Sequence, residues 1–166
     1  MCSGIYRAKS LSNGEWIEGS LVDSGNHDQV FIFPYDDFAA SSSLRDLISK
    51  NLYPVDADTV CEFTGLLDYY TKLIWENDIV KLFDSLGVVK FEAGCFGVYF
   101  ADGVPWERIK EELPSWTHCS HSELYSCSND HFVSMWELYW NFNCEEQCME
   151  MLTVQGNVFD NPDLLR

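Results

Sequence analysis

Between Lys110 and the terminal Arg166 the chain carries no lysine or arginine. Ten acids occupy that interval: Glu111, Glu112, Glu123, Asp130, Glu137, Glu145, Glu146, Glu150, Asp160 and Asp163. Over all 166 residues, 10 Lys and Arg stand against 27 Asp and Glu, a formal charge of −17 and a pI near 4.3. A field of that sign repels phosphate backbones and anionic lipid headgroups, so neither direct nucleic-acid binding nor membrane binding is expected. Long apolar runs are missing too. None approaches the 18 residues of a membrane-spanning helix, and Met1-Cys2-Ser3-Gly4-Ile5-Tyr6-Arg7 lacks the apolar stretch of an export signal. The expected setting is the cytoplasm. There the seven cysteines, an odd number, stand as thiols or metal ligands rather than as a disulfide framework.

The usual signatures of catalysis are lacking as well: GxGxxG, GxxxxGK(S/T), HExxH and GxSxG do not occur. Asp36-Asp37 and Glu76-x-Asp78 are paired carboxylates of the kind used in acid–base or magnesium chemistry. Turn and strand-end polarity explains them equally well. Cys95, between Gly94 and Phe96-Gly97, reads as a buried thiol packing as a small hydrophobe, because a nucleophile needs an adjacent base or cation. The chain is therefore expected not to be an enzyme.

What the chain does have is apolar and aromatic residues, at 46% and 15%, with 11 Phe, 8 Tyr and 6 Trp. That content excludes a disordered chain in spite of the charge. Tyr6–Lys9 and 16–22 flank Ser12-Asn13-Gly14, and Asn-Gly between extended runs is a strong hairpin signal. Val30-Phe31-Ile32-Phe33 stops at Pro34 as a third strand. Ser41-Ser42-Ser43 offers N-caps for a short helix over 44–50. Residues 59–63 read as extended, 74–83 as a strand broken at Glu76-Asn77-Asp78, and 88–91 with 95–100 as a hairpin around Glu92-Ala93-Gly94. Pro105 leads a short helix over 106–113, closed by Pro114. Residues 149–154 form a last strand before a turn-rich tail. Many short strands with glycine turns and little helix point to a small β-barrel or roll with short helical insertions, mainly β and α+β overall.

Two stretches remain open to more than one reading. His118-Cys119-x-His121, Cys127-x3-His131 and Cys144-x3-Cys148 form the single metal-like constellation. A tetrahedral zinc site wants four N or S ligands. These spacings contain no CxxC pair, so scattered thiols and surface histidines are preferred, and no metal or cofactor is expected. The aromatic run at 135–142 is core if helical, with Met135, Leu138, Tyr139 and Phe142 on one face. As a strand it would instead align Trp136, Leu138, Trp140 and Phe142. An exposed Trp and Tyr cluster ringed by acids is the composition of an interface hot spot.

Val60-Cys61-Glu62-Phe63-Thr64-Gly65-Leu66-x-Asp68, followed by Ile74-Trp75-Glu76-Asn77-Asp78-Ile79-Val80, resembles the YopX family of phage and prophage proteins. The likeness continues at Tyr6-Arg7-Ala8, Gly14-Glu15-Trp16-x-x-Gly19, Gly87-Val88-Val89-x-Phe91 and Gly94-Cys95-Phe96. It closes with Gly156-Asn157-Val158-Phe159-Asp160-Asn161-Pro162-Asp163-Leu164-Leu165. The resemblance implies a phage or prophage origin, the cytoplasm of the bacterial host, and an SH3-like β-roll or barrel in a single domain over 1–166. It supplies no catalytic residues. Glu76 and Asp78 are read as turn polarity. Where the family usually has glycine in the turn after Gly-Leu-x-Asp, this chain has Tyr69-Tyr70-Thr71-Lys72, which counts against a positive-φ turn there. Segments at about 35–52 and 103–148 depart from the family pattern, the second being an acidic and aromatic insertion.

These readings combine into an expected function. The chain is a phage-encoded, non-enzymatic binding protein, an anti-defence inhibitor of anti-CRISPR or anti-restriction type. Its acidic surface would block the nucleic-acid channel of a basic host nuclease or nucleic-acid-binding protein. The expected partner-binding residues are Glu111, Glu112, Glu123, Asp130, Trp136, Glu137, Tyr139, Trp140, Glu145 and Glu146. The alternatives are a self-assembling structural or replication-accessory phage protein, acting as a homo-oligomer, and a zinc-dependent module.

Overall fold

A computed structural model describes residues 4–23, 25, 29–34, 51–113, 128–142, 144 and 147–166. The serine-capped helix expected at 44–50 lies outside the described residues. The chain divides into two compact units, Met1–Phe63 and Thr64–Arg166.

In the first unit, β1 (Tyr6–Lys9), β2 (Trp16–Asp23), β3 (Val30–Pro34) and β4 (Tyr53–Val55) form an antiparallel sheet in chain order. The Asn-Gly signal is met: Lys9 pairs with Trp16 across the turn, and Gly14 takes φ +73°. That left-handed conformation is one glycine adopts without steric cost. A small core of Ala8, Ile32 and Val55 is sealed by Ile17, Leu21 and Val60. β5 (Cys61–Asp68) opens with Cys61 and Glu62 paired to β1 and ends with Leu67 and Asp68 beside β11 (Cys148–Met149).

The second unit is built on an antiparallel sheet ordered β10 (Phe132–Ser134), β9 (Cys95–Tyr99), β8 (Ser85–Glu92), β7 (Asp78–Leu82) and β12 (Leu152–Asn157). The short β6 (Leu73–Trp75) pairs with β5. The β-branched runs Ile79-Val80 and Val88-Val89 suit a pleated, buried surface. One sheet face contributes Val80, Leu82, Val89, Val98, Val133 and Leu152 to a core completed by two helices. Those helices are α1 (Trp106–Glu112), through Ile109, and α2 (Met135–Asn141), through Met135 and Leu138. The expected hairpin at Glu92-Ala93-Gly94 forms: Glu92 pairs with Cys95, and Ala93 and Gly94 take φ +49° and +85°. Two consecutive positive φ values make the primed turn whose twist matches the flanking strands.

Mainly-β architecture with short helices is observed. A closed barrel is not: among the described residues the sheets are open, and β10 and β12 are edges. An open edge exposes unpaired N–H and C=O groups and invites strand addition. Polar side chains and neighbouring backbone N–H groups occupy them instead. On β12, the Asp68 carboxylate accepts from Val154 N at 2.8 Å, Leu152 O accepts from Tyr69 N at 2.9 Å, and Asn161 Oδ1 accepts from Asn157 N at 3.3 Å. On β10, Asn129 Oδ1 accepts from Phe132 N at 3.0 Å while its own N–H donates to Phe132 O, and Ser128 Oγ accepts from Ser134 N at 2.9 Å. Local turns and their side chains thus do at these edges what barrel closure would do globally.

Candidate functional site

The aromatic run is a helix. Ser134 caps it, its Oγ accepting from Trp136 N at 3.2 Å, and the turn closes as Phe142 N donates to Leu138 O. Helical spacing then sorts the run into two faces. Met135 and Leu138 are buried, with Tyr139 and Phe142 packed partly against the same core. Trp136 and Trp140, four residues apart, point outward at 64% and 58% exposure. Their rings meet edge to face, centroids 5.3 Å apart, and Tyr139 adds a second edge contact to Trp140 at 6.1 Å. One helix thus buries Met135 and Leu138 in the core and exposes Trp136 and Trp140.

A groove of about 430 Å³ opens beside this helix, walled by Trp136, Tyr139, Met135, Phe96 and Leu66 with Cys95 among them. Phe96 pairs across the hairpin with the exposed Phe91, centroids 5.0 Å apart. Cys95 is only half-buried and lines the groove, its Sγ 3.7 Å from Ser134 Oγ, which corrects the expectation of a buried thiol. Sequence reasoning named Trp136 and Tyr139 of this lining but not Leu66, Met135 or Phe96 as site residues. Phe91 and Phe96, facing one another across a two-residue turn, were the available signal.

The acids are dispersed in role. Glu111 and Glu112 both pair with Arg108 of α1, at 3.0 and 2.7 Å, and the Glu111 hydrogen bond is the main cause holding the Arg108 guanidinium above its ordinary pKa. Glu137 is buried and accepts from Ser128 Oγ at 2.6 Å, so it bonds inward rather than facing solvent. Asp130 is exposed on the turn before β10, its backbone carbonyl accepting from Val104 N at 2.8 Å. Asp163 pairs with Arg166 at 2.6 Å, and Asp160 accepts from Asn157 Nδ2 at 2.8 Å. Glu123, Glu145 and Glu146 lie outside the described residues, as do His118, Cys119, His121 and Cys127 of the metal-like constellation.

Three members of that constellation are placed. His131 Nδ1 lies 3.0 Å from Phe100 O, Cys148 Sγ donates to Asp68 O at 3.2 Å, and Cys144 sits against the core. Burial raises both thiols above the ordinary cysteine value, which disfavours the thiolate that ligates or attacks. Among the described residues no three His, Cys, Asp or Glu side chains are grouped to hold a metal ion. No described helix is long and apolar enough to cross a membrane.

A family model described as YopX protein matches residues 5–166. The chain belongs to the YopX family. Membership places it among phage and bacterial proteins. No curated protein matches the sequence. The residues that carry the YopX pattern serve the fold. Asp68 of Thr-Gly-Leu-x-Asp accepts from Tyr70 N, Lys72 N and Val154 N. Asp78 of Glu-Asn-Asp is buried and accepts from Trp75 N at 2.9 Å, and Asn77 turns the chain at φ +63°. In the tail, Asn157 Oδ1 accepts from Phe159 N and Asp160 N, while Asn161 returns to Asn157. The positive-φ turn after Asp68 is present after all, with Thr71 at +63° in place of glycine. With these polar groups committed to turns and edges, the Trp136–Trp140 pair is an exposed aromatic face on α2 among the described residues.

Proposed function

We propose that this YopX-family chain is a non-enzymatic binding protein that engages a positively charged host protein through the outward face of α2. The observation that carries the reading is the exposed Trp136–Trp140 pair, set in the interval without lysine or arginine between Lys110 and Arg166. Exposed, mutually packed Trp rings on one helix are the composition of an interface hot spot. The charge of −17 draws a basic partner to the chain over distances longer than any contact.

In its specific form, the partner is a basic nucleic-acid-handling enzyme of the restriction or RNA-guided type, and occupancy of its channel inhibits it. The pairing of Glu111 and Glu112 with Arg108, and the burial of Glu137, argue for a diffuse field with aromatic anchors rather than a dense row of acids imitating phosphates. Duplex DNA carries one charge per roughly 1.7 Å of axis, a density such a field does not approach.

The test is capture from a nuclease-rich bacterial lysate at about 0.1 M and 0.5 M salt, where the screening length falls from about 10 Å to about 4 Å. A basic protein recovered at low salt, released at high salt and displaced by DNA supports the inhibitor. Recovery of the chain alone, as a salt-stable oligomer measured by light scattering, replaces it with the self-assembling structural protein.

A further inference from the structure

Resting on that reading, the groove beside α2 narrows the chemistry of what is bound. The Trp pair and the groove form one continuous surface, because Trp136 belongs to both. On the far side of the groove, Phe96 extends the apolar surface to the exposed Phe91. The two parts select different groups. Trp ring faces accept a cation, guanidinium best, through the ring quadrupole. The groove, at about 430 Å³ and walled by Leu66, Met135, Phe96 and Tyr139, suits an aliphatic or aromatic side chain. Glu92, next to Phe91, and Glu150 are exposed acids of the same unit, and no cation–ring contact falls on Trp136 or Trp140 among the described residues. Strand addition is a poor alternative within this unit, because side chains already occupy the outer N–H groups of Val154 and Asn157 on β12 and of Phe132 and Ser134 on β10.

We infer that the α2 groove is a binding site for a basic peptide segment that places an apolar side chain in the groove and a neighbouring arginine on Trp136 and Trp140. The segment belongs to the partner protein. Its signature is an Arg next to a Leu, Met or Phe on an exposed loop or tail.

Three synthetic decapeptides test this against the full chain, read by two-dimensional NMR of the indole N–H groups and by tryptophan fluorescence: alternating Arg and Leu, alternating Arg and Ser, and alternating Gln and Leu. The Arg–Leu peptide is expected to bind tightest and to shift the Trp136 and Trp140 indole signals. Trp136→Ala with Trp140→Ala is expected to weaken it about tenfold or more. Cys95→Leu, which fills the groove from a half-buried position, should weaken Arg–Leu but not Arg–Ser. Tyr69→Ala with Tyr70→Ala removes an exposed aromatic pair elsewhere and should change nothing. Equal binding of Arg–Ser and Arg–Leu, indifferent to both variants, overturns the groove while leaving a charge-driven binding protein standing. Equal binding of Gln–Leu overturns the cation site. Indole shifts that grow with protein concentration alone overturn the peptide in favour of a second copy of the chain. Capture of a basic protein from lysate with no peptide binding overturns the inference and not the reading on which it rests.

Discussion

Replacing Asp68 by Asn tests the claim that a family-pattern residue is spent on the fold. The carboxylate is buried and accepts three backbone bonds: Tyr70 N and Lys72 N on one oxygen at 2.9 Å each, and Val154 N on the other at 2.8 Å. Asn has the same shape with one acceptor oxygen. Oriented toward Tyr70 and Lys72, it turns its amide against the Val154 N–H; flipped, it turns that amide against two donors. Tyr70 is exposed, so water replaces part of its loss, whereas the Val154 bond closes the edge of β12. One opposed buried donor plus a lost charge-assisted bond amounts to about 2–4 kcal/mol. For a chain of this length that is a fall of roughly 5–15 °C in midpoint temperature. Asp68→Ala, which opposes no donor but leaves three unmet and a small void, should cost about 3–5 kcal/mol. Urea unfolding followed by tryptophan fluorescence and by circular dichroism measures both. An Asp68→Asn variant within about 0.5 kcal/mol of wild type would refute the three-acceptor account, since that is the scatter of an ordinary surface change.

Other outcomes follow from single residues. Thr71, β-branched at φ +63°, is strained, and Thr71→Gly should stabilise by about 1 kcal/mol, measured by the same urea midpoint at unchanged m-value. Gly97→Ala should destabilise by more than 2 kcal/mol, because a Cβ there meets the Phe132 ring and the Val133 carbonyl, both in the adjacent strand. Cys144 and Cys148, their thiols raised first by burial, should alkylate more slowly than free cysteine at pH 7.5. Since the thiolate reacts, their rates should keep climbing with pH beyond the ordinary cysteine midpoint, as mass-spectrometric mapping of iodoacetamide adducts will show.

Many of the strands and turns were legible because they are written in local terms. Asn13-Gly14 and Ala93-Gly94 mark turns with positive φ, and Pro34 ends β3 where the run of apolar residues ends. Thr71 was not legible, because what holds its turn is a carboxylate itself tied to Val154, 86 residues away. The barrel expectation failed for a related reason. Edge protection by Asp68, Asn129, Ser128 and Asn161 is a tertiary arrangement, and a sequence of short strands does not say whether edges close on each other or on side chains. Trp136 and Trp140 separate from Leu138 and Phe142 only once the run is known to be a helix, and its cap, Ser134, is itself the last residue of the strand-like Phe132-Val133-Ser134. Glu137, counted among surface acids, is drawn inward by Ser128, nine residues earlier.

The central claim is that α2 presents a partner-binding face, and the most direct measurement compares capture by wild type with capture by the Trp136→Ala, Trp140→Ala double variant. Both side chains are more than half exposed, so the variant should fold with an unchanged melting temperature, which circular dichroism checks. The expected result is a basic protein held by wild type at about 0.1 M salt, lost at about 0.5 M salt, and lost by the double variant at either. The same protein retained by a folded double variant at low salt would contradict the claim and return the interaction to charge alone.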